Sequence, residues 1–105
     1  MAGKVFEIVY DEAVALHLAT IDRKYQSLIR QNIEEQLLYE PEVATRNRKP
    51  LRQPAAFGAT WEIRFGPANR FRVFYRVDER QRVRILAVGV KEGNRLRVGG
   101  KEIQL

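Results

Sequence analysis

The chain has 105 residues, of which 45% are hydrophobic and 30% charged, with no cysteine and a formal net charge of +6. These values describe one globular domain spanning 1–105 and exclude a disordered chain, a disulfide framework and a thiolate metal site. No stretch approaches the roughly 18 apolar residues of a membrane span, and the apolar run in MAGKVFEIVY is too short and strand-like for a signal peptide, so the expected location is the cytoplasm, with no membrane partner.

Lys4 to Tyr10 reads as a first strand, because Phe6, Ile8 and Tyr10 alternate with Glu7 and Val9. Asp11 is a candidate N-cap for a helix over 12–20, rich in Ala, Leu and Glu. A second helix is expected from Asp22 to Tyr39. Ile21, Tyr25, Leu28, Ile29, Ile33 and Leu37 recur at steps of three and four and mark its buried face. Pro41 ends it. Residues 41–58, with Pro41, Pro50, Pro54 and Gly58, read as a loop.

The next segment alternates with period two, the mark of a half-buried strand pair. Trp61, Ile63 and Phe65 are expected on one face, with Glu62 and Arg64 on the other. After a turn at 66–69, Phe71, Val73 and Tyr75 oppose Arg70, Arg72, Phe74 and Arg76. A strand over 82–91 and a short hairpin turning at Gly99-Gly100 complete the chain. The order is strand, two helices, then an antiparallel meander. The fold class is therefore α+β: an N-terminal strand and a helical hairpin packed on one face of an antiparallel twisted sheet, with the opposite sheet face free for function.

Charge divides the chain sharply. Residues 1–45 hold four basic and eight acidic residues, a net of −4, whereas residues 46–105 hold fifteen basic and five acidic, a net of +10. Most of the later cations are arginines, which suit bidentate contact with phosphate and stacking on bases. An exposed sheet face carries such residues without any function about as often. Scarce acids among them, loop cations at Arg46, Arg48 and Lys49, and interleaved aromatic rings shift the balance toward an anionic partner. Phe74, on the arginine side of its strand, is the ring expected to stack on a base.

Familiar catalytic sets are missing. His17 is the only histidine and is expected to be structural or merely exposed. No phosphate-cradling glycine loop occurs, and carboxylates after residue 46 are too few for a two-metal nuclease. No metal and no cofactor is expected.

The loop NRKPLR, the hairpin WEIRFG-PANRFRVFYRV and the strand RILAVGVKEGNRL together resemble the RelE/ParE toxin superfamily of bacterial type II toxin–antitoxin systems. The resemblance covers nearly the whole chain and implies the RelE-like fold. It implies metal-independent cleavage of messenger RNA, on the ribosome, with translation stopped as the result. It also implies a cognate antitoxin as partner. By position, Arg72 matches the arginine at the scissile phosphate, Arg64 a lysine on the preceding strand, and Lys91 a cation near the leaving group. Two departures stand out. Glu62 replaces a lysine of the RelE type, and no tyrosine follows Tyr75, the expected tyrosine position falling near Arg97. Lys49 is the expected proton acceptor in place of the missing lysine. Arg46, Arg48, Arg70, Phe74, Arg95 and Arg97 are expected to bind RNA. Two other readings remain open from the sequence: a ParE-like inhibitor of DNA gyrase without nuclease activity, and a non-toxic module that binds RNA or an antitoxin.

Overall fold

The structure, a computed structural model, describes residues 5–53 and 57–103. Lys4 of the expected first strand, Pro54 of the loop and the last two residues of the final strand lie outside the described residues. Strand β1 (Glu7–Tyr10) leads into helix α1 (Ala13–Ala19), a 3-10 turn (Arg23–Tyr25) and helix α2 (Gln26–Leu37). Six strands follow: β2 (Arg48–Pro50), β3 (Trp61–Phe65), β4 (Phe71–Val77), β5 (Arg82–Glu92), β6 (Arg95–Val98) and β7 (Lys101–Ile103). Strands β2 to β7 form one antiparallel sheet in chain order, and β1 pairs with β5.

Three details differ from expectation. First, β1 runs parallel to β5, with Glu7 opposite Arg82 and Tyr10 opposite Ile85. Such a pairing needs a crossover connection, and the two helices with the first three meander strands supply it. Second, the basic loop is not wholly irregular. Residues 48–50 pair with β3, setting Arg48 opposite Ile63 and Lys49 opposite Glu62. Third, the second helix starts at Gln26, because Asp22 accepts the Lys24 backbone N–H and tightens the preceding residues into a 3-10 turn.

The expected helix stripe is the observed one. Ile21, Ile29, Ile33 and Leu37 are buried, with Tyr25, Leu28 and Leu18 packed beside them. They meet Ile63, Phe65, Phe71, Val73 and Tyr75 of the hairpin and Val83, Ile85 and Val88 of β5. Each fully buried large apolar side chain of this kind contributes about 1.5–3 kcal/mol. The Tyr75 hydroxyl donates to the Pro41 carbonyl at 2.6 Å, tying the sheet to the chain that leaves α2. Burial pushes the Tyr75 phenol well above its ordinary pKa.

His17 closes a gap in the sheet. Along one side of β5, β1 ends opposite Ile85 and β6 begins opposite Gly89. The Val88 N–H falls between them and donates to His17 Nδ1 at 3.2 Å. The histidine is structural, and burial lowers its pKa.

The opposite sheet face is only partly free, which corrects the expectation. Ala59, Phe74, Ala87, Leu96 and Val98 form a second buried cluster there, covered by Leu51, Phe57, Leu86 and Ile103. Between Phe74 and Tyr75 the register jumps from Ala87 to Ile85, so Leu86 is the extra residue of a bulge. The bulge turns Leu86 onto this second cluster. Among the described residues, no helix is long and apolar enough to cross a membrane.

Candidate nucleic-acid interface

The polar end of the second sheet face is built by strand alternation. Glu62 and Arg64 of β3 and Arg72 of β4 project to the side away from the helices. Arg64 lies directly across from Arg72, and Arg72 lies across from Gly89 of β5. Two like charges directly opposite one another repel. Glu62 relieves this pair, with Oε1 accepting from Arg64 Nε at 3.1 Å and Oε2 contacting Arg72 Nη1 at 3.5 Å.

Arg72 is held from a second direction. Its Nε donates to the Asn69 carbonyl at 3.0 Å. That carbonyl belongs to a turn in which Ala68 and Asn69 both adopt positive φ, 54° and 52°. Two non-glycine residues in this region store backbone strain, and here the strain aims an acceptor at the arginine. Only 10% of the Arg72 side chain is exposed. The guanidinium is thus oriented before any ligand arrives.

Glycine at position 89, directly across from Arg72, sits where there is no room for a side chain. A Cβ there would lie 2.9 Å from the Arg97 carbonyl oxygen and 3.0 Å from a Val98 methyl. Beside Arg72 lies a cavity of about 340 Å³ lined by Glu62, Arg72, Lys91, Asn94, Arg95 and Glu102, with Leu96 and Ile103 at its apolar side. Lys49 lies opposite Glu62 on the same face, exposed to solvent.

Arg64, Arg72, Lys91 and Lys49 therefore share one face, and Arg95 stands at the cavity wall, 3.7 Å from Glu102. Arg46 is exposed in the bend before β2. Four expected RNA contacts lie elsewhere. Arg48 is buried on the helix side, where its guanidinium donates to the carbonyls of Glu40 and Val43 and to Gln36 Oε1. Arg70 precedes β4 and lies over the rings of Tyr25 and Phe71 at 5.7 and 5.5 Å. Arg97, paired across β5 with Val90, also faces the helix side and reaches Glu92 at 3.7 Å. Phe74 is fully buried, in edge contact with Phe57 at 5.3 Å between centroids, so it offers no surface to a base.

The arginines are also better compensated than the count of acids suggests. Arg82 and Arg84 share Asp78, at 2.9 and 3.4 Å. The Arg82 backbone N–H above all, with the Arg82 side chain and the Arg80 backbone N–H, holds the Asp78 carboxyl at about 2. Among the described residues, no group of three or more His, Cys, Asp or Glu side chains is placed to hold a metal ion.

Residues 17–105 match the model of one protein family, described as phage derived protein Gp49-like. The chain belongs to the Gp49-like family. The matched span takes in the end of α1, all of α2, the arginine hairpin and the whole cavity wall. Among solved structures, this Gp49-like chain is similar to a chain of the toxin–antitoxin complex RelBE2 from Mycobacterium tuberculosis. The two share 22% identity over 84% of this chain and 93% of that chain, with a TM-score of 0.66. The likeness establishes the RelE-like fold, two helices on an antiparallel sheet, that the sequence motifs led one to expect. No curated protein matches the sequence.

Proposed function

We propose that the protein is the toxin of a toxin–antitoxin pair, a metal-independent endoribonuclease that cuts messenger RNA, with the ribosome as its platform, and so stops translation in the cytoplasm. The observation that carries this reading is Arg72: a nearly buried guanidinium, fixed by Asn69 and Glu62, opening onto a cavity it shares with Lys91. Pre-oriented cations of this kind act where charge develops, at no cost of reorganisation.

In the proposed reaction the 2′-OH of a ribose attacks the adjacent phosphorus. Negative charge gathers on the non-bridging oxygens of the transition state. Arg72 and Arg64 receive that charge, and positioning with electrostatics supplies most of the catalysis in such displacements. Lys91, on the far side of Arg72, serves the leaving 5′-oxygen. Lys49 and Arg46, both exposed, extend the cationic surface along the RNA backbone. Arg95 lines the cavity wall for the same ligand.

An antitoxin partner fits the excess of cations after residue 46, and the structural neighbour is itself a toxin–antitoxin complex. Expression of the wild type and of Arg72→Ala in a bacterial host tests the proposal. Growth arrest with transcript cleavage by the wild type alone is expected. Arrest without RNA cleavage but with loss of gyrase supercoiling would point instead to a gyrase inhibitor. Equal, harmless behaviour of both proteins would refute toxicity.

A further inference from the structure

The proton acceptor for the attacking hydroxyl is the least obvious part of this site. Lys49 is solvent-exposed, and its neighbour across the strands is Glu62. Glu62 offsets the repulsion between Arg64 and Arg72, but a carboxylate beside a phosphate site also repels the ligand those arginines attract. Glu62 is only 5% exposed, yet its remaining surface lines the cavity together with Arg72 and Lys91.

We infer that Glu62 is the general base of the proposed cleavage, taking the 2′-OH proton in the role expected of Lys49. The inference rests on the endoribonuclease reading and names a further catalytic residue within it. Three observations carry it. The Glu62 carboxylate keeps spare acceptor capacity: it has about four lone-pair sites, and the two arginines engage one on each oxygen. The contact of Oε2 with Arg72 is the long one, at 3.5 Å, at the limit of a hydrogen bond. On this inference that weakly held oxygen accepts from the hydroxyl entering the cavity.

The third observation is the placement of Glu62 and Lys91 about Arg72. Glu62 lies across from Phe74, two residues along β4 from Arg72 in one direction. Lys91 donates its backbone N–H to the Arg70 carbonyl at 2.7 Å, two residues from Arg72 in the other direction and on the opposite neighbouring strand. The acceptor and the ammonium thus occupy opposite diagonals of the phosphate-binding arginine. An in-line displacement has this demand: the proton leaves on one side of phosphorus and is supplied on the other.

The step balances without a further reactant. The 2′-O–H bond breaks and its proton passes to Glu62. The 2′-oxygen forms a bond to phosphorus as the bond from phosphorus to the 5′-oxygen breaks. Lys91 protonates the departing oxygen, giving a 2′,3′-cyclic phosphate and a 5′-OH. Proton exchange with water resets both side chains. Arg64 and Arg72 hold Glu62 in place and bind the phosphate, so the same ion-pair network orients base and substrate.

The test uses the full-length protein on a messenger RNA whose cleavage sites are first mapped with the wild type. Cleavage rate is measured for wild type, Glu62→Gln and Glu62→Asp. Binding is measured on an oligonucleotide carrying 2′-deoxyribose at the mapped site, which cannot be cut. Glu62→Gln is expected to lower the rate about 10²–10⁴-fold, while binding stays equal or tightens, and Glu62→Asp is expected to recover part of the rate. Glu62→Gln cleaving at the wild-type rate, Glu62→Gln losing binding and cleavage together, or Glu62→Asp recovering none of the rate would each overturn the inference. A wild type that cuts no RNA would overturn the endoribonuclease reading itself, a different failure.

Discussion

Arg48 and Lys49 are neighbours with opposite roles, and replacing each with alanine separates them. The Arg48 side chain is buried, and its guanidinium donates to the carbonyls of Glu40 and Val43 and to the amide oxygen of Gln36. It ties the end of α2 and the following bend to the start of the sheet. Hydrogen bonds from a charged donor contribute about 1.5–3 kcal/mol each, though they do not add in full. Arg48→Ala leaves three acceptors without their donor in a partly covered site, and water reaches some of them. A net loss of about 2–4 kcal/mol follows. In a domain of this size each kcal/mol moves Tm by about 4–8 °C, so a fall of about 10–25 °C is expected by thermal unfolding. Lys49→Ala removes an exposed side chain, with a change within about 0.5 kcal/mol. RNA affinity should respond in the opposite order once each variant is compared below its own Tm. The reasoning fails if Arg48→Ala unfolds like the wild type while losing RNA binding.

Phe74→Ala is expected to destabilise by about 3–5 kcal/mol, read as a shift of the urea midpoint, because Phe74 is fully buried under Phe57. A base-stacking residue would instead lose RNA affinity with stability unchanged. Gly89→Ala is expected to destabilise as well, since its Cβ would meet the Arg97 carbonyl oxygen at 2.9 Å; a wild-type urea midpoint would refute that. His17 predicts a pH effect. Its folded pKa lies below the ordinary value of about 6.5, so the unfolded chain binds the proton more readily. This contribution to stability is complete above pH 6.5 and is lost as pH falls through the lowered folded value. His17→Asn keeps an acceptor for the Val88 N–H and does not titrate, so the wild type should lose more stability than this variant between pH 7 and pH 5. Equal pH dependence of the two would contradict the assignment.

Much of the fold was legible because the alternation of β3 and β4 and the helical stripe of α2 are strong local patterns. Trp61, Ile63, Phe65, Phe71, Val73 and Tyr75 all turn toward the helices, and Arg64 and Arg72 turn away, as the period of two requires. What failed depended on contacts distant in sequence. Arg48 reads as one more cation in a proline-rich loop. Only the pairing of residues 48–50 with β3 turns it inward. Phe74 has the same strand parity as Arg72, but the returning chain at Phe57 and Ala59 covers it. Arg70 sits just before β4, where strand parity does not yet apply, and rotates onto Tyr25. Arg97 depends on the register of β6 against β5, which the short hairpin does not reveal. Glu62 was visible as a departure from the RelE type, but its pairing with both Arg64 and Arg72 needs the register of the hairpin. The Asp78 pairing was the more readable one, since Arg82 lies four residues on.

The most direct measurement of the central claim is cleavage of a translated messenger RNA by purified protein in a reconstituted translation system. Wild type and Arg72→Ala are compared, with a parallel ribosome-free reaction in EDTA to exclude a metal requirement wherever cleavage of naked RNA is detectable. The wild type is expected to cut, leaving a cyclic phosphate and a 5′-OH, and to keep any ribosome-free activity in EDTA. Arg72→Ala is expected to be slower by about 10²–10³-fold, the effect of removing one pre-oriented group from a charge-stabilising site. Intact messenger RNA with the wild type, or equal cleavage by the two proteins, would contradict the account.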